Sequence, residues 1–300
     1  MTSGAAAERL HEGVLEWYST AARDLPWRTA EATPWGIFVS EVMLQQTPVA
    51  RVLPVWQEWM QRWPTAAELA AEAPGEAVRT WGRLGYPRRA LRLHAAAVAI
   101  TERFGGSVPG TEAELSTLPG VGTYTAAAVA TFAFGERTTV VDTNVRRVLA
   151  RAVTGDAYAA PSPTRTELTT AAGLVPLDPA RARTWSVAVM ELGALVCTSR
   201  SPRCDACPVR ELCAWRLAGS PAHAGPPRRG QSWEGTDRQM RGALLRLLRE
   251  SDGPVSRPQI EAVSPLALQR ERCLDSLVAD GLVEPLARGR YRLPGSREAS

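Results

Sequence analysis

Four of the five cysteines, Cys197, Cys204, Cys207 and Cys213, fall within 17 residues in the pattern C-x6-C-x2-C-x5-C. Four thiolates this close in sequence can converge on one centre, where they hold a metal ion or a cluster and fix the loop that carries them. The x2 pair lets two sulfurs reach that centre from a single turn, and Pro202 and Pro208 stiffen the loop and reduce the entropy lost on ligation. Two disulfides would use the same residues. However, Glu8, Arg9 and Glu12 stand where a secretory leader needs an apolar run, so a cytoplasmic, reducing compartment is expected. Zinc patterns usually join two close pairs, whereas only one x2 pair is present here. Spacing alone leaves iron–sulfur and zinc both open. Cys273 falls on the apolar face of an expected helix and reads as a buried small residue.

The chain around this loop reads as helix after helix. Val14, Leu15, Trp17 and Tyr18, then Leu91, Leu93, Ala97, Val98 and Ile100, then Val187, Val189, Met190, Leu192 and Leu195 recur at helical spacing. Prolines at 26, 34, 48, 54, 64, 74, 87, 109 and 119 fall near expected helix starts or breaks. Alternating strand patterns are scarce, so the expectation is an all-α core of about ten helices up to residue 216. A hydrophobic content of 45% with 22% charged residues excludes wholesale disorder, and no uncharged apolar run is long enough to span a membrane.

Charge composition excludes one class of chemistry. All 35 basic residues are arginine, so no side-chain amine exists to form a Schiff base. The net charge is only +4, and residues 223–300 carry 13 arginines against 10 acids. Without a polybasic tail, a nucleic-acid surface has to be a local patch.

Glycine and proline crowd residues 218–235, which reads as a linker. Beyond it, Asp237–Glu250 reads as an amphipathic helix through Met240, Leu244, Leu245, Leu247 and Leu248. Helices are also expected at 257–263 and 265–280, ended by Gly281, with a hairpin of 282–286 and 290–293 around Gly289. Three helices and a hairpin resemble a small winged helix-turn-helix.

Within the core, Leu118-Pro119-Gly120-Val121-Gly122 precedes the helical run Thr123 to Phe134. Two glycines at a helix mouth let the backbone turn tightly and expose N–H groups to a phosphate, although a plain helical hairpin uses the same turn. Further on, Val140-Val141-Asp142-Thr143-Asn144 puts an aspartate between an apolar pair and a new helix, the ordinary place for an N-cap.

Taken together, a helix-hairpin-helix, an aspartate after an apolar pair and the C-x6-C-x2-C-x5-C loop resemble the base-excision glycosylase superfamily that includes endonuclease III. Leu25-Pro26-Trp27-Arg28, Ser40-Glu41-Val42-Met43-Leu44-Gln45-Gln46-Thr47 and Gly82-Arg83-Leu84-Gly85-Tyr86 resemble its MutY-type adenine DNA glycosylases. The resemblance runs from about residue 9 to 216. It implies a mainly α, two-lobed helix-hairpin-helix glycosylase over residues 1–217, with a [4Fe–4S] loop at 197–213 and zinc as the alternative occupant. A linker at 218–235 and a small winged-helix-like α+β domain at 236–295 would follow. The implied partner is double-stranded DNA carrying a purine mismatch, bound by a monomer with no membrane attachment.

Lyases of this superfamily carry a lysine two residues after the second hairpin glycine. Tyr124 stands there in this chain, so monofunctional hydrolysis of the base is expected. The target base has to leave the duplex stack before its bond to the sugar can break. Glu41, flanked by Val39, Val42, Met43 and Leu44, would be the buried acid that protonates the leaving adenine, and Asp142 the carboxylate that stabilises the oxocarbenium-like sugar. The resemblance further assigns Tyr124 and Asn144 to the surroundings of Asp142, Trp27 and Arg28 to the adenine pocket, and Gln46 and Tyr86 to a wedge beside the opposite base. Gly120 and Gly122, with Arg88 and Arg89 from the acid-free run Arg79, Arg83, Arg88, Arg89 and Arg92, would contact phosphates.

The departure from the family is the tail. Many relatives carry a larger C-terminal domain that reads 8-oxoguanine, and this chain has only about 65 residues after the linker. Two other readings fit parts of the pattern: a thymine glycosylase acting on T:G mismatches, and a non-enzymatic, zinc-stabilised DNA-binding protein.

Overall fold

The computed structural model describes residues 4–222 and 234–295. Its helices are α1 (Gly4–Ala21), α2 (Pro34–Leu44), α3 (Val49–Arg62), α4 (Ala66–Ala70), α5 (Pro74–Thr80), α6 (Arg88–Phe104), α7 (Glu112–Leu115), α8 (Thr123–Phe134), α9 (Thr143–Leu149), α10 (Arg165–Gly173), α11 (Pro179–Leu195) and α12 (Ala214–Leu217). The tail contributes α13 (Asp237–Glu250), α14 (Arg257–Glu261), α15 (Ala267–Ala279) and strands β1 (Glu284–Leu286) and β2 (Arg290–Arg292). The mainly helical expectation holds, and most of the expected linker lies outside the described residues. No described helix is long and apolar enough to cross a membrane.

Local chemistry sets the helix starts. Thr65 with Glu68 and Thr164 with Glu167 form capping boxes at α4 and α10, while Asp178 caps α11 ahead of Pro179. Pro54 is an exception to the proline expectation, because α3 runs through it. Burial of Val52 and Trp59 on one face holds the helix on either side of a residue that ordinarily costs about 3 kcal/mol in a helix interior.

The chain divides into two compact units. The first comprises the described residues up to Ile37, Gly110–Thr117, and Val121 to residue 222. Its core packs α1, α9 and α11 through Val14, Val145, Val148, Trp185, Val189 and Leu192. Gly193 is the close-approach point: a Cβ there would fall 2.6 Å from the Asn144 Cβ, so only glycine lets α11 lie this near α9. A second cluster packs Ile37, Ala127, Ala128, Phe132 and Val140, with half-buried Tyr124 against it.

The second unit comprises Phe38–Pro109, Leu118–Gly120 and the described tail. Trp59 sits edge-on to Trp63 and Trp81 with ring centres 4.7 and 5.9 Å away, and all three rings are buried. The tail core is Leu244, Leu245, Leu248, Ile260, Leu274 and Leu277, with Cys273 buried beside it as expected. β1 and β2 pair antiparallel, and Val255 bridges to Tyr291. The Gly75 N–H donates to the Pro294 carbonyl at 2.7 Å, and Arg79 donates to the carbonyls of Arg249 and Ser251, tying the tail to α5.

Candidate active site and iron–sulfur loop

In the first unit, Asp142 caps α9 from an extended backbone. Its Oδ1 accepts the Val145 N–H at 2.7 Å and its Oδ2 accepts the Asn144 Nδ2–H at 2.8 Å. Burial pushes its carboxyl above the usual range, against these bonds, which favour the carboxylate. The N-cap role is therefore real, and it fixes both oxygens. Asn144 Oδ1 in turn accepts from Arg147 at 2.6 Å. Arg147 also donates to the carbonyls of Gly193 and Cys197, at 2.6 and 2.7 Å. A chain of hydrogen bonds thus links Asp142 to the first residue of the cysteine loop.

The cysteines are free thiols, and all four line one small pocket together with Arg151, Trp215 and Val196. Arg151 donates to Cys197 Sγ at 3.4 Å and to the carbonyls of Thr198 and Ser199, and it lies over the Trp215 ring. Among the described residues no three His, Cys, Asp or Glu side chains are arranged to hold a single metal ion. Four cysteines around one shared pocket are the donor set that an iron–sulfur cluster takes.

In the same unit, Trp27 is buried in a 3-10 turn at Pro26–Arg28. Arg28 donates to Glu191 Oε2 at 2.9 Å, and Arg23 grips the same carboxylate through its Nε and a terminal nitrogen at 2.5 and 2.8 Å. Burial alone would raise the pKa of Glu191, which is 1% exposed, but the two guanidinium groups outweigh it and hold the carboxyl at about 2. The other terminal nitrogen of Arg28 is buried without a hydrogen-bond partner. Sequence reasoning missed Glu191. Its signal was a lone acid inside the apolar run Val187 to Leu195.

In the second unit, Glu41 is 5% exposed between fully buried Val39 and Met43, which rules out an exposed helix glutamate. Gln46 and Tyr86 are two of only four described non-glycine residues with left-handed backbones, at φ 55° and 47°. Tyr86 is 46% exposed, so it is not a core ring. A left-handed conformation at a bulky residue is strained, and such strain clusters at functional positions.

Arg89 corrects an expectation. It is 7% exposed and donates to the carbonyls of Val42, Met43, Gln45 and Gly85 and to Thr47 Oγ1, at 2.6 to 3.2 Å. With its donors turned inward it does not reach a phosphate; instead it ties the Gln46 turn to the Tyr86 turn. Arg79 is likewise engaged, by Glu76 and the tail carbonyls. Arg88 stays exposed, 3.2 Å from Asp280. Gly120 is left-handed, and a Cβ there would fall 2.6 Å from the Arg92 Cβ. Gly122 precedes α8 with no side-chain capping bond and no atom in the way of a Cβ.

A helical hairpin leading into an aspartate-capped helix that is wired to a four-cysteine loop defines the helix-hairpin-helix base-excision glycosylase class. Comparison with known proteins agrees: the HhH-GPD superfamily base excision DNA repair protein family matches residues 39–172, and the iron-sulfur binding domain of endonuclease III matches 197–213. The adenine DNA glycosylase of Mycolicibacterium smegmatis is 55% identical, covering 95% of this chain and 96% of its own length. That of Mycobacterium tuberculosis H37Rv is 53% identical, covering 94% and 92%. A solved thermostable thymine-DNA glycosylase superposes with a TM-score of 0.64 at 27% identity, over 71% of this chain and 98% of its own. The chain belongs to the adenine DNA glycosylase family, and its cysteine loop is the family's [4Fe–4S] site.

Proposed function

We propose that this enzyme hydrolyses the N-glycosidic bond of adenine mispaired with 8-oxoguanine or guanine in double-stranded DNA, without cutting the strand. The observation that carries this reading is that two carboxyl groups are withdrawn from solvent, the buried Glu41 in the second unit and the half-buried Asp142 in the first, in a chain with no lysine.

In this mechanism Glu41 donates a proton to a ring nitrogen of the extruded adenine, so that the base departs neutral. Asp142, whose two oxygens are oriented by the Val145 and Asn144 donors, stabilises the oxocarbenium-like sugar in its ionised form, and water completes the hydrolysis at C1′. Tyr124 and Asn144 order the surroundings of Asp142. Trp27 packs on the adenine, and the unpartnered Arg28 nitrogen offers a donor to an acceptor on its edge. Gln46 and Tyr86 enter the stack beside the opposite base. The bound cluster supplies a cross-link of loop 197–213 rather than redox chemistry for the hydrolysis; Cys197, Cys204, Cys207 and Cys213 would hold it. In domain terms, residues 1–217 form the glycosylase and 236–295 a small added domain.

The test is base release from duplexes carrying A opposite 8-oxoguanine, A opposite G, and T opposite G. Release from the two adenine duplexes alone is expected. Glu41→Gln and Asp142→Asn should each abolish release and keep duplex binding; an active Glu41→Gln enzyme would remove the acid role.

A further inference from the structure

The second unit contains a cavity of about 960 Å³ between the Gln46 and Tyr86 turns on one side and α13 on the other. Nine arginines line it and no acidic residue does. Elsewhere the chain pairs many of its arginines with carboxylates. Here, among the described residues, Asp280 forms ion pairs with Arg88 and Arg241, and Glu250 acts on Arg249. Arg83, Arg92 and Arg246 are exposed and, among the described residues, have no carboxylate partner. Like charges facing one another around a cavity repel, and a polyanion reverses the sign of that energy.

The geometry points to one such ligand. Arg238, Arg241, Arg246 and Arg249 recur along α13 at near-helical spacing, a stripe about 16 Å long at 1.5 Å per residue. That length follows several consecutive phosphates of one strand. Arg238 lies over the Tyr86 ring at 5.2 Å, so the stripe begins on the residue proposed to enter the base stack. On the opposite wall, the stem of Arg92 packs against Gly120 of the hairpin turn. We propose that α13, with Arg83 and Arg92, grips the phosphates of the DNA strand opposite the target adenine. The tail then acts through its first helix, in contact with the wedge residue. This rests on the glycosylase reading above.

A winged-helix mode is disfavoured by the same structure. Of the arginines on α15, the helix that would enter a groove, Arg270 is buried against the carbonyls of Glu261 and Ser264, and Arg272 is bound to Asp237. In the hairpin, Arg292 is bound to Glu284.

The experiment measures affinity against salt, using a fluorescent duplex with an uncleavable adenine analogue opposite 8-oxoguanine. Each phosphate contact contributes about 0.9 to the slope of log K against log salt. The double variant Arg83→Gln/Arg246→Gln should lose about 1.8 of that slope. Raising salt from 50 to 200 mM should then cost wild type about 12-fold more affinity than the variant. The double variant Arg288→Gln/Arg290→Gln, in the hairpin, should keep the wild-type slope. Thermal melting and retained brown colour confirm folding of both. Equal slopes for wild type and the α13 variant overturn the proposal, as does a slope lost only in the hairpin variant. If wild type releases no adenine, the glycosylase reading fails separately, and the slope comparison on plain duplex still decides whether this cleft grips DNA.

Discussion

Arg89 and Glu191 are buried charges with opposite consequences for pH. Burial lowers the Arg89 pKa to about 10, which leaves it charged at neutral pH with five acceptors satisfied. Arg89→Met should cost about 3 kcal/mol by stripping a charged donor from buried carbonyls. Arg89→Lys should rescue little, because one ammonium has three donors and no planar fork. Denaturant unfolding of the three proteins gives the comparison. Glu191 is depressed from the ordinary carboxylate range to about 2, so its contribution is complete above about pH 5 and disappears as pH falls toward 2. Wild type should therefore lose more stability on acidification than Glu191→Gln. Parallel stability–pH curves for the two proteins would contradict this. Glu41 and Asp142 became candidates because motifs single them out, and the sequence around Glu41 already suggested its burial. Arg89 was misread because sequence shows a charge but not the direction in which its donors point.

At the scale of elements, the α9–α11 contact supports the proposed Asp142 site. Gly193→Ala would drive a Cβ into Asn144, which supports Asp142, and Arg147 bonds to the Gly193 carbonyl in the same contact. A destabilisation of about 1–3 kcal/mol is expected, together with a loss of base release larger than the stability loss explains. Gly173→Ala, with no atom within 4 Å of its Cβ, serves as the near-neutral control. Thermal melts and single-turnover release separate the two effects. The tail helices were readable almost to the residue, since leucine periodicity alone places α13 at Asp237–Glu250. The arginine cleft was not, because residues 83–92 and 238–249 share no local pattern and meet only through packing. The π-helical turn at Ala150–Thr154, which carries Arg151 to the cysteine loop, also has no sequence signature of its own.

For the whole molecule, amino-acid composition restricts chemistry more tightly than any single motif. With 35 arginines and no lysine, the chain binds anions through guanidinium groups that stay protonated at every working pH. Such groups neutralise phosphates but do not attack the sugar C1′ as amines. Tyr124, half-buried at the start of α8, stands where the lyase branch carries its lysine, and no other side chain supplies an amine. The product should therefore be an intact abasic strand that breaks only on later treatment with alkali. Borohydride added during the reaction should trap no covalent protein–DNA adduct, because no imine forms. Tyr124→Lys is the informative variant. A lysine there should yield a trapped adduct on abasic DNA if the residue faces the sugar, whereas the same substitution at exposed Arg165 should not. An adduct with the wild-type protein would mean that a different amine reaches C1′, and strand cleavage would then have to join base removal in the account of this enzyme.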